Sequence, residues 1–391
     1  MATGRAPRTD CGVLRSTLAQ IDLDAIAANY RAITAFLAAE SPGGSPPSMI
    51  AVVKANAYGH GAGPVARALE QAGAEMLACA DIEEAVALRT AGVRAGILVF
   101  GAMSVSDLGG LFEHDLVPTI STPTAARAVE AEAARRATRI RYHLKIDTGM
   151  HRLGFRHDSL RQTLPELLAS PHLQLAAVYT HFATAEDPEH PLMAEQRAAF
   201  DRALATLAEM GVPRVGCHAA NSAAILRDSR VWFDAVRPGL LLYGVPPPPL
   251  ATTVPVRAAM RLVSRVVSIK GLRAGESVGY GARYTAELPR QIAVVPAGYA
   301  DGLDRRLAGR GHVLVGGRRA PIVGSVSMDM ITIDVSEVPC VPGDEVVLLG
   351  RQGGEVIDVR EMAATIGTIP WEVLCRVGTR IERIYNPAEA F

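Results

Sequence analysis

From residue 49 to residue 237 the chain repeats one unit: a short apolar run, then a stretch rich in Ala, Leu, Glu and Arg. The apolar runs fall near 49–54, 76–80, 96–100, 117–120, 140–147, 174–181, 214–218 and 234–237, and they read as strands. The stretches at 63–72, 82–91, 104–112, 122–137, 158–169 and 191–210, with a short one near 221–227, read as helices. Strands this apolar are covered on both faces, as parallel strands flanked by helices are. Eight strands each followed by a helix predict the α/β class and a closed (β/α)8 TIM barrel, although a helix after the last strand is not evident. The rival is an open, doubly wound sheet. A dinucleotide-binding sheet would carry G-x-G-x-x-G after its first strand, and His60-Gly61-Ala62-Gly63-Pro64 lacks it.

The flanks read differently. Residues 1–12 read as a frayed tail, 16–21 as a short strand and 25–39 as a helix that Asp22 or Asp24 can cap. The proline run at 246–249 is a stiff connector, and beyond it short β-branched strands alternate with Gly-rich turns. Strands are expected at 260–269, 291–296, 313–315, 331–335 and 345–349, and one helix at 358–366. The division is therefore a tail and strand at 1–21 that packs with the C-terminal domain, a barrel at 22–250, and a smaller, mostly-β domain at 251–391.

Lys+Arg and Asp+Glu both total 40, which argues against a bulk nucleic-acid binder. The 5 cysteines are scattered without zinc spacing, so no metal site is expected and reduced thiols suit the cytoplasm. No signal peptide or membrane span is evident.

The chemistry gathers where strands end. The first barrel strand runs into Lys54, followed by Ala55-Asn56-Ala57-Tyr58-Gly59-His60-Gly61. The C-terminal ends of barrel strands carry the chemistry, and a lysine there can form a Schiff base with a carbonyl cofactor or substrate; it can equally be a lysine reaching solvent. Lys145, Asp147 and Arg152 sit at the mouth of the fifth strand, where an ion pair with a turn is the plainer reading. His181 ends the sixth strand. Ser222 follows the seventh, and its hydroxyl with the start of a short helix suits a phosphate as well as an ordinary cap. Arg237 ends the eighth. In the β domain, glycines flank Tyr280, which either projects from a loop or packs in a turn.

The string from Ala51 to Gly61 resembles the pyridoxal-phosphate lysine motif of the alanine racemases. The resemblance covers about residues 16–384, and the motifs come in the family's order. It implies pyridoxal 5'-phosphate on Lys54, with Tyr58 reaching the cofactor phosphate. Arg152, within Lys145-Ile146-Asp147-Thr148-Gly149-Met150-His151-Arg152, would contact the substrate carboxylate, and Lys145 matches a lysine that some members carry as a carbamate. His181 would serve a network beside the cofactor ring. His218, Asn221 and Ser222 align with the cofactor-binding turn, and Gly239 and Leu240 would add backbone N–H groups. Arg237 would face the pyridine nitrogen; a guanidinium donates hydrogen bonds and does not readily release its proton, so the ring stays a restrained electron sink. Tyr280, in Gly279-Tyr280-Gly281, would be the second catalytic base. Tyr299 would line the substrate entrance, and Met328 would offer its N–H to the substrate carboxylate.

The function so implied is alanine racemisation by two bases, supplying D-alanine for peptidoglycan, in a homodimer whose composite sites take Lys54 from one chain and Tyr280 from the other. Alternatives are a broader serine or lysine racemase, or a non-catalytic barrel protein that binds the cofactor. Decarboxylases of this fold need an acidic partner for the pyridine nitrogen, and Arg237 speaks against them. Two departures stand out: Thr379 falls near the place of a phosphate-contacting tyrosine, and Trp371 stands where tyrosine is common.

Overall fold

The computed structural model describes residues 16–41, 44–101, 103 and 107–386. The tail expected at 1–12 and residues 104–106 of the helix expected at 104–112 lie outside the described residues. The chain divides into two compact units.

One unit spans Ile21–Met260 and Ile369–Cys375. Among its described residues, eight parallel strands close on themselves: Ser48–Val52, Met76–Cys79, Gly96–Val99, Val117–Ile120, Ile140–Asp147, Leu173–Tyr179, Gly216–Asn221 and Ala235–Arg237. The last pairs in parallel with the first, Ala235 beside Ser48, so no edge remains. Helices follow the strands at Ala62–Gln71, Ile82–Thr90, Gly109–Glu113, Pro123–Arg135, Leu192–Glu209 and Ser222–Arg227, with two short ones after the fifth strand. The eighth strand is followed only by a 3-10 turn, Leu240–Tyr243. The chain's first helix, Leu23–Ala39, packs there instead. Asp22 caps it, accepting from Ala25 N–H at 2.7 Å, and Asn29 donates to the carbonyls of Leu242 and Arg257, each at 2.9 Å. The missing eighth helix is thus supplied from the opposite end of the chain.

The first barrel strand is shorter than 49–54. It stops at Val52, and the backbone then turns through a left-handed conformation: Ala55, Asn56, Ala57 and Tyr58 have φ of 53°, 53°, 54° and 52°. A left-handed turn crowds each Cβ against a carbonyl, at a cost of roughly 1–2 kcal/mol per non-glycine residue. The turn ends at Gly59, which has no room for a Cβ: one would meet the Leu374 carbonyl oxygen at 2.3 Å. Leu374 belongs to the Pro370–Cys375 helix, which no sequence signal announced.

The other unit spans residues 16–20, 261–368 and 376–386. Its main sheet is antiparallel around Arg290–Val295, Ile331–Asp334, Arg318–Val323, His312–Val315 and Glu345–Gln352. The expected strand at 260–269 is two strands, Met260–Arg265 and Ser268–Leu272. Gly316 and Gly317, both at positive φ, make the two-residue hairpin turn between His312–Val315 and Arg318–Val323. The Leu18–Ile21 strand lies in this sheet between Met260–Arg265 and Glu382–Tyr385. Asp358 caps the Val359–Ile366 helix.

Candidate active site

The barrel strands set the site by register. Lys145 pairs with Tyr179, and Tyr179 with His218, so three neighbouring strands carry these residues in one row. All three are buried. The Lys145 ammonium lies 4.6 Å from the Tyr179 ring centroid, and the His218 ring stacks on Tyr179 at 4.6 Å. Tyr179 is held from below by a 3.0 Å hydrogen bond between its hydroxyl and Thr119.

Arg237 is 3% exposed and makes no ion pair among the described residues; neutral partners hold it. It donates to the carbonyls of Thr180 and Ala219, each at 2.8 Å, to His218 Nδ1 at 2.6 Å and to His181 Nδ1 at 3.2 Å. An arginine can only donate, so both histidines must accept through Nδ1. His218 then carries its proton on Nε2 and donates to His143 Nδ1 at 3.0 Å. The pKa directions agree: burial, then the Arg237 charge, pushes His181 and His218 well below the usual histidine value and His143 down to about 4. Burial lowers Arg237 itself to about 10, which leaves it charged at neutral pH.

These groups face a cavity of about 220 Å³. Lys54, Tyr58, Lys145, Arg152, His181, Asn221, Ser222, Arg237, Gly239 and Leu240 all line it. Lys54 has a lowered pKa, first through burial and then through the Arg152 charge. Burial, with Arg237 and Arg152 nearby, brings Lys145 down to about 7. Asp147 does not pair with Lys145: its Oδ1 accepts the N–H groups of Gly149, Met150 and His151, building the turn that presents Arg152. Arg152 has no salt-bridge or hydrogen-bond partner among the described residues. Asn221 caps the Ser222–Arg227 helix, accepting from Ala224 N–H at 3.0 Å. Ser222 Oγ accepts from Gly239 N–H at 2.9 Å and Leu241 N–H at 3.3 Å.

Tyr280, Tyr299 and Met328 are not among the lining residues; they belong to the other unit. There they form one neighbourhood. Gly279 and Gly281 flank Tyr280 at positive φ, and Ser325 Oγ donates to the Tyr280 carbonyl at 2.7 Å. Tyr299 N–H donates to Ser327 O at 2.9 Å, and Ala300 N–H to Met328 O at 3.1 Å. Arg380 clamps the base of this region through Asp301 and Asp329. The three side chains are outward, 78%, 43% and 52% exposed.

The family model for the alanine racemase N-terminal domain matches residues 21–247, and that for the C-terminal domain matches 259–385. The chain belongs to the alanine racemase family. With that membership go the isomerase class and pyridoxal phosphate as cofactor. It is 41% identical over 379 residues to an alanine racemase of Symbiobacterium thermophilum, covering 96% of this chain and 99% of that one. It is 43% identical over 375 residues to one from Geobacillus kaustophilus, covering 95% and 94%. Among solved structures it superposes on the alanine racemase of D-cycloserine-producing Streptomyces lavendulae with a TM-score of 0.90 at 37% identity, over 95% and 97% of the two chains. The Bartonella henselae alanine racemase, solved with covalently bound pyridoxal phosphate, gives 0.82 at 31% identity over 96% and 99%.

The racemase cavity fits that cofactor on its own chemistry. It offers a primary amine on Lys54 and an excess of basic groups, with Lys54, Lys145, Arg152 and Arg237 against Glu186. Such a set suits a phosphate and a carboxylate together. No group of three His, Cys, Asp or Glu among the described residues is placed to hold a metal ion. No described helix is long and apolar enough to cross a membrane.

Tyr179, Glu186 and Trp371 also line the cavity, and of these only Trp371 stands out in the sequence. Tyr179 carries a local signal: it is the last residue of the Leu173–Tyr179 strand, at the barrel mouth two residues before His181. Trp371 arrives on the unannounced Pro370–Cys375 helix.

Proposed function

We propose that this chain interconverts L- and D-alanine in a homodimer, with Lys54 of one subunit and Tyr280 of the partner subunit as the two bases. The observation that carries the reading is the split of the machinery. The cavity brings together the residues assigned here to the cofactor and the carboxylate, whereas Tyr280 stands on the other unit, 78% exposed. Racemisation needs a proton donor and acceptor on opposite faces of Cα, and an outward tyrosine suits a site completed between subunits.

Pyridoxal phosphate, when bound, draws electrons away from Cα and makes its hydrogen acidic. Lys54 holds the cofactor between turnovers. Burial and the Arg152 charge lower its pKa, which favours the neutral amine that would move the proton on the D-side of Cα. Tyr280 moves the proton on the L-side. His181 accepts from Arg237 through Nδ1, so its Nε2–H is the donor left to tune that tyrosine. Tyr58, Asn221, Ser222, Gly239 and Leu240 would hold the phosphate, the Gly239 N–H shared with Ser222 Oγ, which it meets at 2.9 Å. Arg237 would offer the ring nitrogen a hydrogen bond without giving up its proton, which would keep charge from spreading toward side reactions. Arg152 and the Met328 N–H take the substrate carboxylate, and Tyr299 narrows the entrance. The setting is cytoplasmic, and the product supplies peptidoglycan.

The test is Cα exchange in heavy water, run on purified holoenzyme over a panel of L- and D-amino acids. Alanine of both hands should exchange fastest, with some leakage to serine, because a pocket rejects an added hydroxyl only weakly, by about a hundredfold. Lysine or arginine turning over with the kcat/KM of alanine would refute the small-substrate reading. Borohydride reduction and peptide mapping should place the cofactor on the Lys54 peptide; a tag on Lys145 would overturn the assignment.

A further inference from the structure

The left-handed turn behind Lys54 has no glycine until its last residue, so its own sequence does not favour it. Something must hold it. The Glu84 carboxylate is in contact with its opening: Oε1 accepts from Ala55 N–H at 2.6 Å and from Asn56 N–H at 3.4 Å. Its other oxygen accepts from Ala80 N–H at 2.8 Å. Glu84 is the third residue of the Ile82–Thr90 helix, whose cap Asp81 accepts from Glu84 N–H at 2.8 Å. In an ordinary capping box that glutamate would turn back to the N–H of its own cap residue. Here it reaches one residue further, to Ala80, and across to the turn on the neighbouring strand. The rest of the turn is held separately. Asn56 Oδ1 accepts from Ala62 N–H at 2.8 Å, and Gly59 seats against the Leu374 carbonyl.

We propose that Glu84 is a positioning residue: by bridging Ala80 to the first two N–H groups of the inverted turn, it locks that turn and aims the Lys54 amine into the cavity. Glu84 does not line the cavity, so it does not touch the substrate; it holds the backbone of the turn, and its charge also works on Lys54, raising that pKa against the lowering by burial. A right-handed alternative at residues 55–58 would send the chain out of Lys54 along a different path and re-aim its side chain. The inference rests on Lys54 being the cofactor lysine.

The test compares full-length Glu84→Ala and Glu84→Gln with the unaltered enzyme. Three readouts are taken: amide hydrogen exchange of the peptide covering residues 53–61, the rate at which apoenzyme captures added pyridoxal phosphate, and kcat and KM per bound cofactor. Glu84→Ala should speed exchange in that peptide by about tenfold or more while the other barrel strands keep their protection. It should slow capture by about tenfold and lower kcat with little change in KM for alanine. Glu84→Gln keeps a carbonyl acceptor for Ala55, so it should lie closer to the unaltered enzyme in all three, and it decides the matter if Glu84→Ala does not fold. Unchanged exchange at 53–61 in a folded variant overturns the proposal. So does a fall in kcat that only tracks a lower thermal midpoint, which would make Glu84 an ordinary helix cap. If borohydride tags a lysine other than Lys54 in the unaltered enzyme, the functional reading fails instead.

Discussion

The Tyr58 hydroxyl occupies the space that a side chain at Gly239 would need: a Cβ there would lie 2.4 Å from Tyr58 Oη. The contact joins the turn after the first barrel strand to the turn after the eighth, across the wall where the sheet closes. Tyr58 cannot easily retreat, since its ring packs 4.9 Å from Tyr243, whose hydroxyl is tied to the Val52 carbonyl at 3.0 Å.

Gly239→Ala should therefore push the Tyr58 hydroxyl away from the phosphate end. Overpacking of this kind costs about 1–3 kcal/mol, and a loss of about 1.4 kcal/mol appears as a tenfold weaker cofactor affinity. Tyr58→Phe should weaken binding alone but relieve part of the clash in the double variant. A strictly additive double-mutant cycle in cofactor titrations would show that the two positions do not communicate.

Shared sites can be tested by complementation. Lys54→Ala and Tyr280→Phe homodimers should each be nearly dead. Heterodimers formed by mixing should regain up to about half of the activity of the unaltered dimer, because one site then has both bases and the other neither. Heterodimers demonstrated by mass but without activity would place both bases in one chain.

Stability should fall in mild acid. His143, His181 and His218 are buried neutral, with folded pKa values below the ordinary ~6.5. Below that value the unfolded chain binds protons that the folded chain refuses, so stability is full above pH ~6.5 and is lost as pH falls toward the folded values. The slope is about 1.4 kcal/mol per pH unit for each such histidine. Urea unfolding at a series of pH values should show it, and His143→Asn should make it shallower between pH ~6.5 and the His143 value of about 4. A flat profile down to that value would mean that the histidines are charged in the folded state.

Trp371 should set part of the size limit. Its side chain lines the cavity from the Pro370–Cys375 helix. Trp371→Ala opens the wall and should raise serine turnover relative to alanine by about 10-fold, in line with the small discrimination an apolar wall provides. An unchanged serine-to-alanine ratio of kcat/KM would remove Trp371 from the specificity question.

The barrel could be read from the chain because its signal is local. A strand that lies between helices is largely apolar and each helix shows its own pattern, so eight strands and the seven helices that follow the first seven announce themselves one by one. The residues at the strand ends were legible for a related reason: Lys54, His181 and Arg237 follow apolar strands, where such groups are costly and need a task or a partner, whereas exposed Arg152 was marked only by the string it belongs to. What the chain could not show are relations between distant segments. The helix that takes the eighth position comes from residues 23–39 because Asn29 meets Leu242 and Arg257, and no periodicity records that meeting. The first barrel strand ends at Val52 and turns left-handed because Glu84 and Leu374 close on the turn from other parts of the fold. Local preference alone would continue residues 55–58 in a right-handed conformation, and only tertiary contacts can offset the strain of the other hand.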